Sequence, residues 1–532
     1  MVMTATTVKG KIQSRFEGSR LGAVLGAAVV LAICGVLLSY NLGCWPVTWY
    51  DEGRSCQAAR NLAELGRYGI MSSDGFRPYT PHISTGPTVI VPIALLFRAA
   101  GTGLLQARIV MVGYAVLAVL CLYLLALRFF DAKAAVVASL LFISAGAASG
   151  DISASFLGLG RMVKGEVPAL ALLLAGALLW SWSLRRGGWI SLVGVGLLWG
   201  LSIVTKGQCV FILPGLILTW VVAVLLGRDV RRRWFLVPLV LSLSCAGAWS
   251  VWQYWRSGGA QQAEVAGRVG SELFLLVPRL VVKSSRVLLS QREIVWGLPG
   301  VAYGLYLAVT SRRSEVALPL VFLISTCLIW LSWFIFGSIG WPRYAFPPIA
   351  MMTLLTGKLL VDLLTQSRWP FVSTRADALP DPAQSAAVRS VVVLLAIALM
   401  VSGSLQSLVR DIIVTRDNVP SDFAQYLDDS IPVGAVVECF EPEIVFLSRG
   451  AFQFHQPSLL VESLAIQHAQ LGTPYPDGSY DFRQQGVGYV INGPFSKATQ
   501  IYEQGLDSAL VSLVVSVGPY DLYRVIGEGS RE

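Results

Sequence analysis

Charge is what this chain has least of. Asp, Glu, Lys and Arg make up 14% of its 532 residues, where a soluble domain carries about 25%. Histidine occurs only three times. The eight cysteines are scattered, mostly in apolar runs, with no Cys-x-x-Cys or Cys/His grouping. Neither a zinc site nor a disulfide framework is therefore indicated. Cys44 and Cys56 are the one pair expected on a common face outside the membrane. No internal repeat of the kind that marks a two-halved transporter is visible. The net charge of +9 is spread through short loops, so it does not argue for nucleic acid as a partner.

What fills the chain instead is apolar sequence, 55% of the residues. Runs of about 20 apolar residues recur through the first 410 positions, the length that crosses a bilayer as a helix. Such spans are helical because the bilayer core offers no water to satisfy the backbone. The expected fold is an α-helical polytopic membrane protein with about 11–13 membrane helices, followed by a small extracytoplasmic α/β domain. Residues 1–20 form a basic cytoplasmic N-terminus, 21–408 the membrane domain and 409–532 the C-terminal domain. The last of these carries strand patterns at Ala435–Cys439, Gly488–Asn492, Leu510–Val517 and Tyr520–Val525, with helix patterns at Asp422–Asp429 and Thr499–Gln504.

Basic turns mark one side of the membrane. They contain Arg128 and Lys133, Arg185 and Arg186, Arg228 to Arg233, and Arg312 and Arg313, with the linker 364–389. By the positive-inside rule these turns are cytoplasmic. Loops 41–83 and 255–293 and everything after Arg410 are then outside. Counting from the two ends disagrees by one span, and the simplest repair is that 84–98 does not cross fully, its apolar part being short.

Polar residues at the outer ends of the spans carry the chemistry. Tyr50 to Gly69 is polar where its surroundings are oily, and Arg54–Leu65 reads as an amphipathic helix. Ala58, Leu62 and Leu65 share one face; Gln57, Asn61 and Glu64 share another. Asp51 and Glu52 stand at its start, as caps or as functional acids. Arg161, Lys164 and Glu166 cluster before another span, and Glu166 suits a helix N-terminus. Lys206 lies between two spans with no acid nearby in the sequence. Trp341-Pro342-Arg343-Tyr344 reads either as an interfacial anchor or as a cationic step. His82 is followed by Ser84-Thr85-Gly86-Pro87. The cations exceed what the acids need, which suits an anionic lipid with a carboxylate left for proton abstraction.

The order of these motifs resembles the GT-C glycosyltransferases that use a lipid-phosphate sugar donor. The nearest branch is the protein O-mannosyltransferase, aminoarabinose transferase and Rgt-like group. Asp51-Glu52 with Ala58 to Leu62 resembles the acidic motif and juxtamembrane helix of that family, and Tyr79 to Pro87 its proline-rich stretch. Glu166-Val167-Pro168 stands at the second acid, Thr205-Lys206-Gly207 at the lysine turn, and Arg343-Tyr344-Ala345-Phe346-Pro347 at the late arginine-tyrosine-proline motif. The second acid is usually aspartate in the family and is Glu166 here; the proline-rich stretch lacks adjacent prolines.

The resemblance implies an enzyme of the plasma membrane of a bacterium, with the site on the outer face. It would move a sugar from a polyprenyl-monophosphate donor to a hydroxyl of a lipid, glycan or protein, with inversion. Asp51 would be the base. Glu52 and Glu166 would be a second acid or metal ligands, and Lys206, Arg343, Arg161 and Lys164 the phosphate cations. Tyr344, His82 and Arg60 would contact substrate. The scheme requires no cofactor and leaves a divalent metal open. The rival readings are a glycan polymerase or ligase with a pyrophosphate donor, and a lipid or glycan transporter.

Overall fold

A computed structural model describes residues 5–73, 75–78, 85–146, 154–228, 230–256, 277–311, 313–365, most of 390–402 and, with short gaps, 418–526. Side chains are described from residue 20 onward. His82 and most of the proline-rich stretch lie outside these residues, as do much of loop 255–293, nearly all of the linker and about half of the expected span 390–408.

In chain order the first elements are α1 (Ala5–Ser39), α2 (Tyr50–Leu65), the hairpin β1 (Gly69–Ser72) and β2 (Gly75–Pro78), α3 (Pro87–Ala100), α4 (Leu104–Phe129), α5 (Ala132–Ile143) and the single turn α6 (Phe156–Leu159). Then come α7 (Glu166–Arg186), α8 (Trp189–Thr205), α9 (Ile212–Leu225), α10 (Arg233–Arg256), α11 (Pro278–Ser290), α12 (Arg292–Thr310), α13 (Ser314–Gly337) and α14 (Phe346–Thr365). Among the described residues, eight segments are long and apolar enough to cross a membrane. The shorter α5 and α8 join the same bundle, α5 packed on α4 and α14, α8 packed on α7 and α10.

The alternation of these helices gathers the basic turns at one end. Arg128, closing α4, donates to Ser181 near the end of α7. Arg228 reaches the Ser311 carbonyl after α12, 2.8 Å away, and Lys358 of α14 pairs with Asp131 before α5 at 3.2 Å. At the opposite end lie α2, α3 and the C-terminal unit. Helix α3 does not traverse the bundle. Ser55 and Thr85 meet at 3.3 Å, and Arg98 donates to the carbonyls of Ala63 and Leu62 at 2.9 and 3.0 Å. Helix α3 therefore runs alongside α2 in the same sense, with both ends at one end of the bundle. Its 14 residues span only about 21 Å at 1.5 Å per residue.

The C-terminal unit contains α15 (Val419–Ser430), β3 (Val436–Cys439), α16 (Pro442–Leu447), β4 (Gln453–His455), α17 (Leu459–Leu471), β5 (Tyr489–Asn492), α18 (Pro494–Thr499), α19 (Glu503–Leu506), β6 (Val511–Val517) and β7 (Tyr520–Val525). Its sheet has the order β4-β3-β5-β7-β6, with β3 parallel to both neighbours and the β5–β7–β6 pairs antiparallel. The helix expected over Thr499–Gln504 is broken instead. Gln500 adopts φ 60°, a left-handed conformation that ends α18.

Helix α2 is held by both bodies. Its polar face, expected to meet water, is covered: Arg54, Gln57 and Asn61 are all buried. Gly53 abuts the backbone of Pro442 and Glu443 in α16 so closely that a Cβ has no room. Gln57 donates to the Pro442 carbonyl at 2.8 Å. The Tyr50 ring stacks on Phe495 of α18 with centroids 3.9 Å apart, and its hydroxyl donates to Glu462 of α17 at 2.6 Å. Arg54 of α2 and Arg77 of β2 also pair with Glu462.

On the bundle side the tie is Glu52. Its carboxylate accepts from Arg108 Nε and Nη2 at 2.9 and 2.7 Å, and both side chains are sealed from solvent. Arg108 also donates to the carbonyls of Leu42 and Pro46 at 2.8 and 2.7 Å. Removing one member of a buried, fully hydrogen-bonded pair leaves an uncompensated charge and costs about 3–5 kcal/mol. Glu52→Gln and Arg108→Gln are each expected to lower the thermal unfolding temperature of the detergent-solubilised protein by several degrees. An unfolding temperature within a degree of the parent for both would show that the pair does not support α2.

Candidate active site

Four chain segments meet at the end of the bundle that carries α2. Asp51 lies in the first turn of α2, and Lys164 in the turn before α7. Glu166 is the first residue of α7, where the helix dipole favours an anion. Lys206 follows the last turn of α8, where exposed carbonyls favour a cation. Arg343 lies in a 3-10 turn, Pro342–Ala345, that enters α14.

Their side chains form one ionic chain. Lys206 Nζ lies 3.1 Å from Glu166 Oε1, and Arg343 Nε lies 3.6 Å from the same oxygen. The other end of Arg343 is bonded to Asp51 Oδ2, which also has Lys164 Nζ at 3.9 Å. Three cations thus face two carboxylates. Glu166 and Lys164 are both 3% exposed, whereas Asp51 is 29% exposed. Asp51 is the open edge of the cluster.

Burial opposes the charge on Asp51, but Arg343, Lys164 and Lys206 outweigh it and hold the carboxyl below its ordinary range. Burial and the neighbouring Arg343 draw the Lys164 ammonium down to about 8, with Asp51 and Glu166 partly offsetting them. At Lys206 burial also works against the charge, yet Glu166 prevails and raises it.

Beside the cluster is a small crevice of about 10 Å³ lined by Glu166, Lys206, Gln208, Trp330, Arg343 and Tyr344. Both Glu166 oxygens and Arg343 Nε are buried there without a directional hydrogen bond. Hydrogen-bonding capacity left open around a polar pocket is what a bound polar group uses. Arg343 lies 4.4 Å from the Trp341 ring centroid, and Lys206 5.9 Å from that of Tyr344. These rings keep the cations fixed without neutralising them.

The expected site residues separate into two sets. Asp51, Lys164, Glu166, Lys206, Arg343 and Tyr344 come together. Lys206, without an acid nearby in the sequence, has Glu166 as its partner in space, and Asp51 is paired rather than spare. Arg161, Glu52 and Arg60 lie elsewhere. Arg161 is buried and donates to the carbonyls of Trp45, Leu37 and Tyr40, so it clamps the loop between α1 and α2. Glu52 is closed off by Arg108 and is in no position to act as a second acid or to hold a metal with Asp51. Arg60 faces α16, donating to the Val445 and Phe446 carbonyls. Cys44 and Cys56 are both free thiols. Among the described residues no three His, Cys, Asp or Glu side chains form a metal-holding group.

Two structural supports were not foreseen. Arg108 carries a signal of its own, a charge inside an apolar run. Glu462 carries none, because its partners Tyr50, Arg54 and Arg77 lie some 400 residues away.

Residues 84–252 match the family described as dolichyl-phosphate-mannose-protein mannosyltransferase. That segment includes Lys164, Glu166 and Lys206, while Asp51 and Arg343 lie outside it. No curated protein matches the chain as a whole. Solved structures do. ArnT from Cupriavidus metallidurans, bound to undecaprenyl phosphate, superposes with a TM-score of 0.60 at 17% identity over 95% of this chain and 98% of that one. The archaeal oligosaccharyltransferase AglB from Archaeoglobus fulgidus, in complex with an inhibitory peptide and a dolichol-phosphate, gives 0.58 at 13% identity over 90% and 71%. At such identities the likeness is one of fold. The chain is a membrane protein of the GT-C glycosyltransferase fold, and across residues 84–252 it carries a domain matching the dolichyl-phosphate-mannose-protein mannosyltransferase family.

Proposed function

We propose that the protein transfers a sugar from a polyprenyl-monophosphate donor to a hydroxyl group of a lipid, glycan or protein acceptor, with inversion. The observation that carries this reading is an ionised, partly open carboxylate, Asp51, inside a cluster with an excess of cations. Two relatives of the same fold have been solved with a lipid phosphate bound, which supports an anionic lipid as the donor. The basic turns gather at the end of the bundle opposite the cluster, which by the positive-inside rule supports a site on the outer face of the membrane; the plasma membrane of a bacterium is the setting that the motif resemblance implies. A transporter would hold its ionisable residues near the bilayer midplane; here they cap helix ends.

Within the cluster Arg343 is shared between Asp51 and Glu166, and one positive charge is left over. A donor phosphate entering beside Lys206 and Arg343 competes with both carboxylates for those cations. Once the phosphate draws on Arg343, Asp51 loses the partner that most depresses its basicity. It then accepts the proton of the acceptor hydroxyl as that oxygen attacks the anomeric carbon from the face opposite the phosphate. The carbon–oxygen bond to phosphate breaks, and the departing phosphate keeps the electron pair. Its added charge is stabilised by Lys206, Arg343 and Lys164. Glu166 orients Lys206 and Arg343. The scheme draws its charge stabilisation from these three cations and requires no metal.

Two measurements test the reading on purified enzyme in vesicles with a lipid-linked sugar. Asp51→Asn keeps the shape and loses the proton acceptor, so turnover is expected to fall about 100- to 10,000-fold while donor binding persists. Near-normal turnover would remove Asp51 from the mechanism. The second concerns pH. Lys164 carries its charge below about 8 and loses it above. Donor affinity is therefore expected to weaken as pH rises through that value, and this step is expected to vanish in Lys164→Met. An unchanged pH profile in the variant would exclude Lys164 from the phosphate site.

A further inference from the structure

A second, larger cavity of about 620 Å³ lies where α2, the α3–α4 turn and α16 meet. Its lining includes Arg60, Glu64, Thr102, Leu104, Phe446 and Arg449. Arg60 follows Asp51 by nine positions, which places it about 13 Å further along the helix and about half a turn round. The cavity is thus on the far face of α2 from the ionic cluster.

Its charge is only partly compensated: two guanidinium groups face one carboxylate. Arg60 makes only long hydrogen bonds, 3.4 and 3.3 Å, to the Phe446 and Val445 carbonyls. Arg449 donates to the Thr102 carbonyl at 2.9 Å. Neither guanidinium forms an ion pair with a described carboxylate. The one acid in the lining, Glu64, accepts from the Thr102 hydroxyl at 3.0 Å. Burial draws the Arg60 pKa below its ordinary value, Glu64 only partly opposing it.

The mouth of the cavity opens where α4, a candidate span, begins. From there an apolar stripe runs along α4 at four-residue spacing: Leu105 is 49% exposed, Ile109 50% and Leu117 36%. At Gly113, between the last two, a Cβ would meet nothing within 4 Å. The exposed apolar stripe of this span thus begins beside a cationic cavity, with a notch at Gly113.

We propose that this cavity binds the head group of an anionic glycerophospholipid, with one acyl chain lying along Leu105, Ile109 and Leu117. Arg60 and Arg449 take the phosphate oxygens, in the forked geometry that guanidinium groups offer. The volume lies within the usual 300–1,000 Å³ of small-ligand sites. Arg449 and Phe446 belong to the C-terminal unit, whereas Arg60 and Leu104 belong to the membrane part. A lipid bound here therefore ties one to the other. It is separate from the proposed sugar-donor site.

The experiment uses the full chain in detergent with a fluorescent phosphatidylglycerol. Saturable binding is expected, displaced by unlabelled phosphatidylglycerol but not by phosphatidylcholine or by millimolar inorganic phosphate. Arg449→Gln, at an exposed position that the fold tolerates, is expected to weaken binding several-fold, and Arg60→Gln with Arg449→Gln at least tenfold. Arg185→Gln, at the opposite end of the bundle, is expected to leave it unchanged. Lys206→Ala, in the proposed donor site, is also expected to leave it unchanged, so the two sites fail or stand separately. Affinity within twofold of the parent in the double variant would overturn the proposal. Equal displacement by phosphatidylcholine or by inorganic phosphate would overturn it as well.

Discussion

The Glu52–Arg108 pair fixes the start of α2, and the position of Asp51 follows from it. An isolated carboxylate in this environment would be costly to keep charged. Here two guanidinium nitrogens satisfy it, and the same arginine closes the carbonyls of Leu42 and Pro46. The pair therefore holds the loop before α2 and the helix itself against the bundle. From the other side the C-terminal unit presses on Gly53, Gln57 and Tyr50. Helix α2 has polar residues on most of its circumference and is nevertheless buried, because two bodies cover it.

Adjacent acids with opposite fates follow from this arrangement. Consecutive residues on a helix are about 100° apart. Glu52 points into the bundle and meets Arg108, while Asp51 points to the cluster edge and stays partly open. One carboxylate holds position and the other remains partly open. The ionic cluster shows the same division: Glu166, nearly sealed, orders Lys206 and Arg343, whereas Asp51 keeps an exposed edge.

Much of this was legible in the sequence. Apolar run length gives the helical bundle, and the alternation of its basic turns gives the common end for the polar motifs. Glu166 at a helix start follows from a dipole argument, and Lys206 at the outer end of a span from its place between two apolar runs. The misplacements share one cause. Arg161, Glu52 and Arg60 are the same residue types as the true cluster members, and they lie at similar distances from span ends. Only the direction of each side chain separates them, and direction depends on neighbours contributed by remote segments, such as Trp45 for Arg161 and α16 for Arg60.

The sequence by itself determined that this is a membrane protein, that its spans are helical, and which short polar stretches interrupt the oil. Those properties are local, since bilayer thickness and backbone satisfaction act on each segment alone. Tertiary structure alone decided the pairing: Lys206 with Glu166, Arg343 with Asp51, Glu52 with Arg108, and Glu462 with Tyr50 and Arg54. Ion pairs act over a few ångströms in space and have no characteristic spacing along a chain. Residues 51 and 343 become neighbours only when the bundle closes and the C-terminal unit docks on α2.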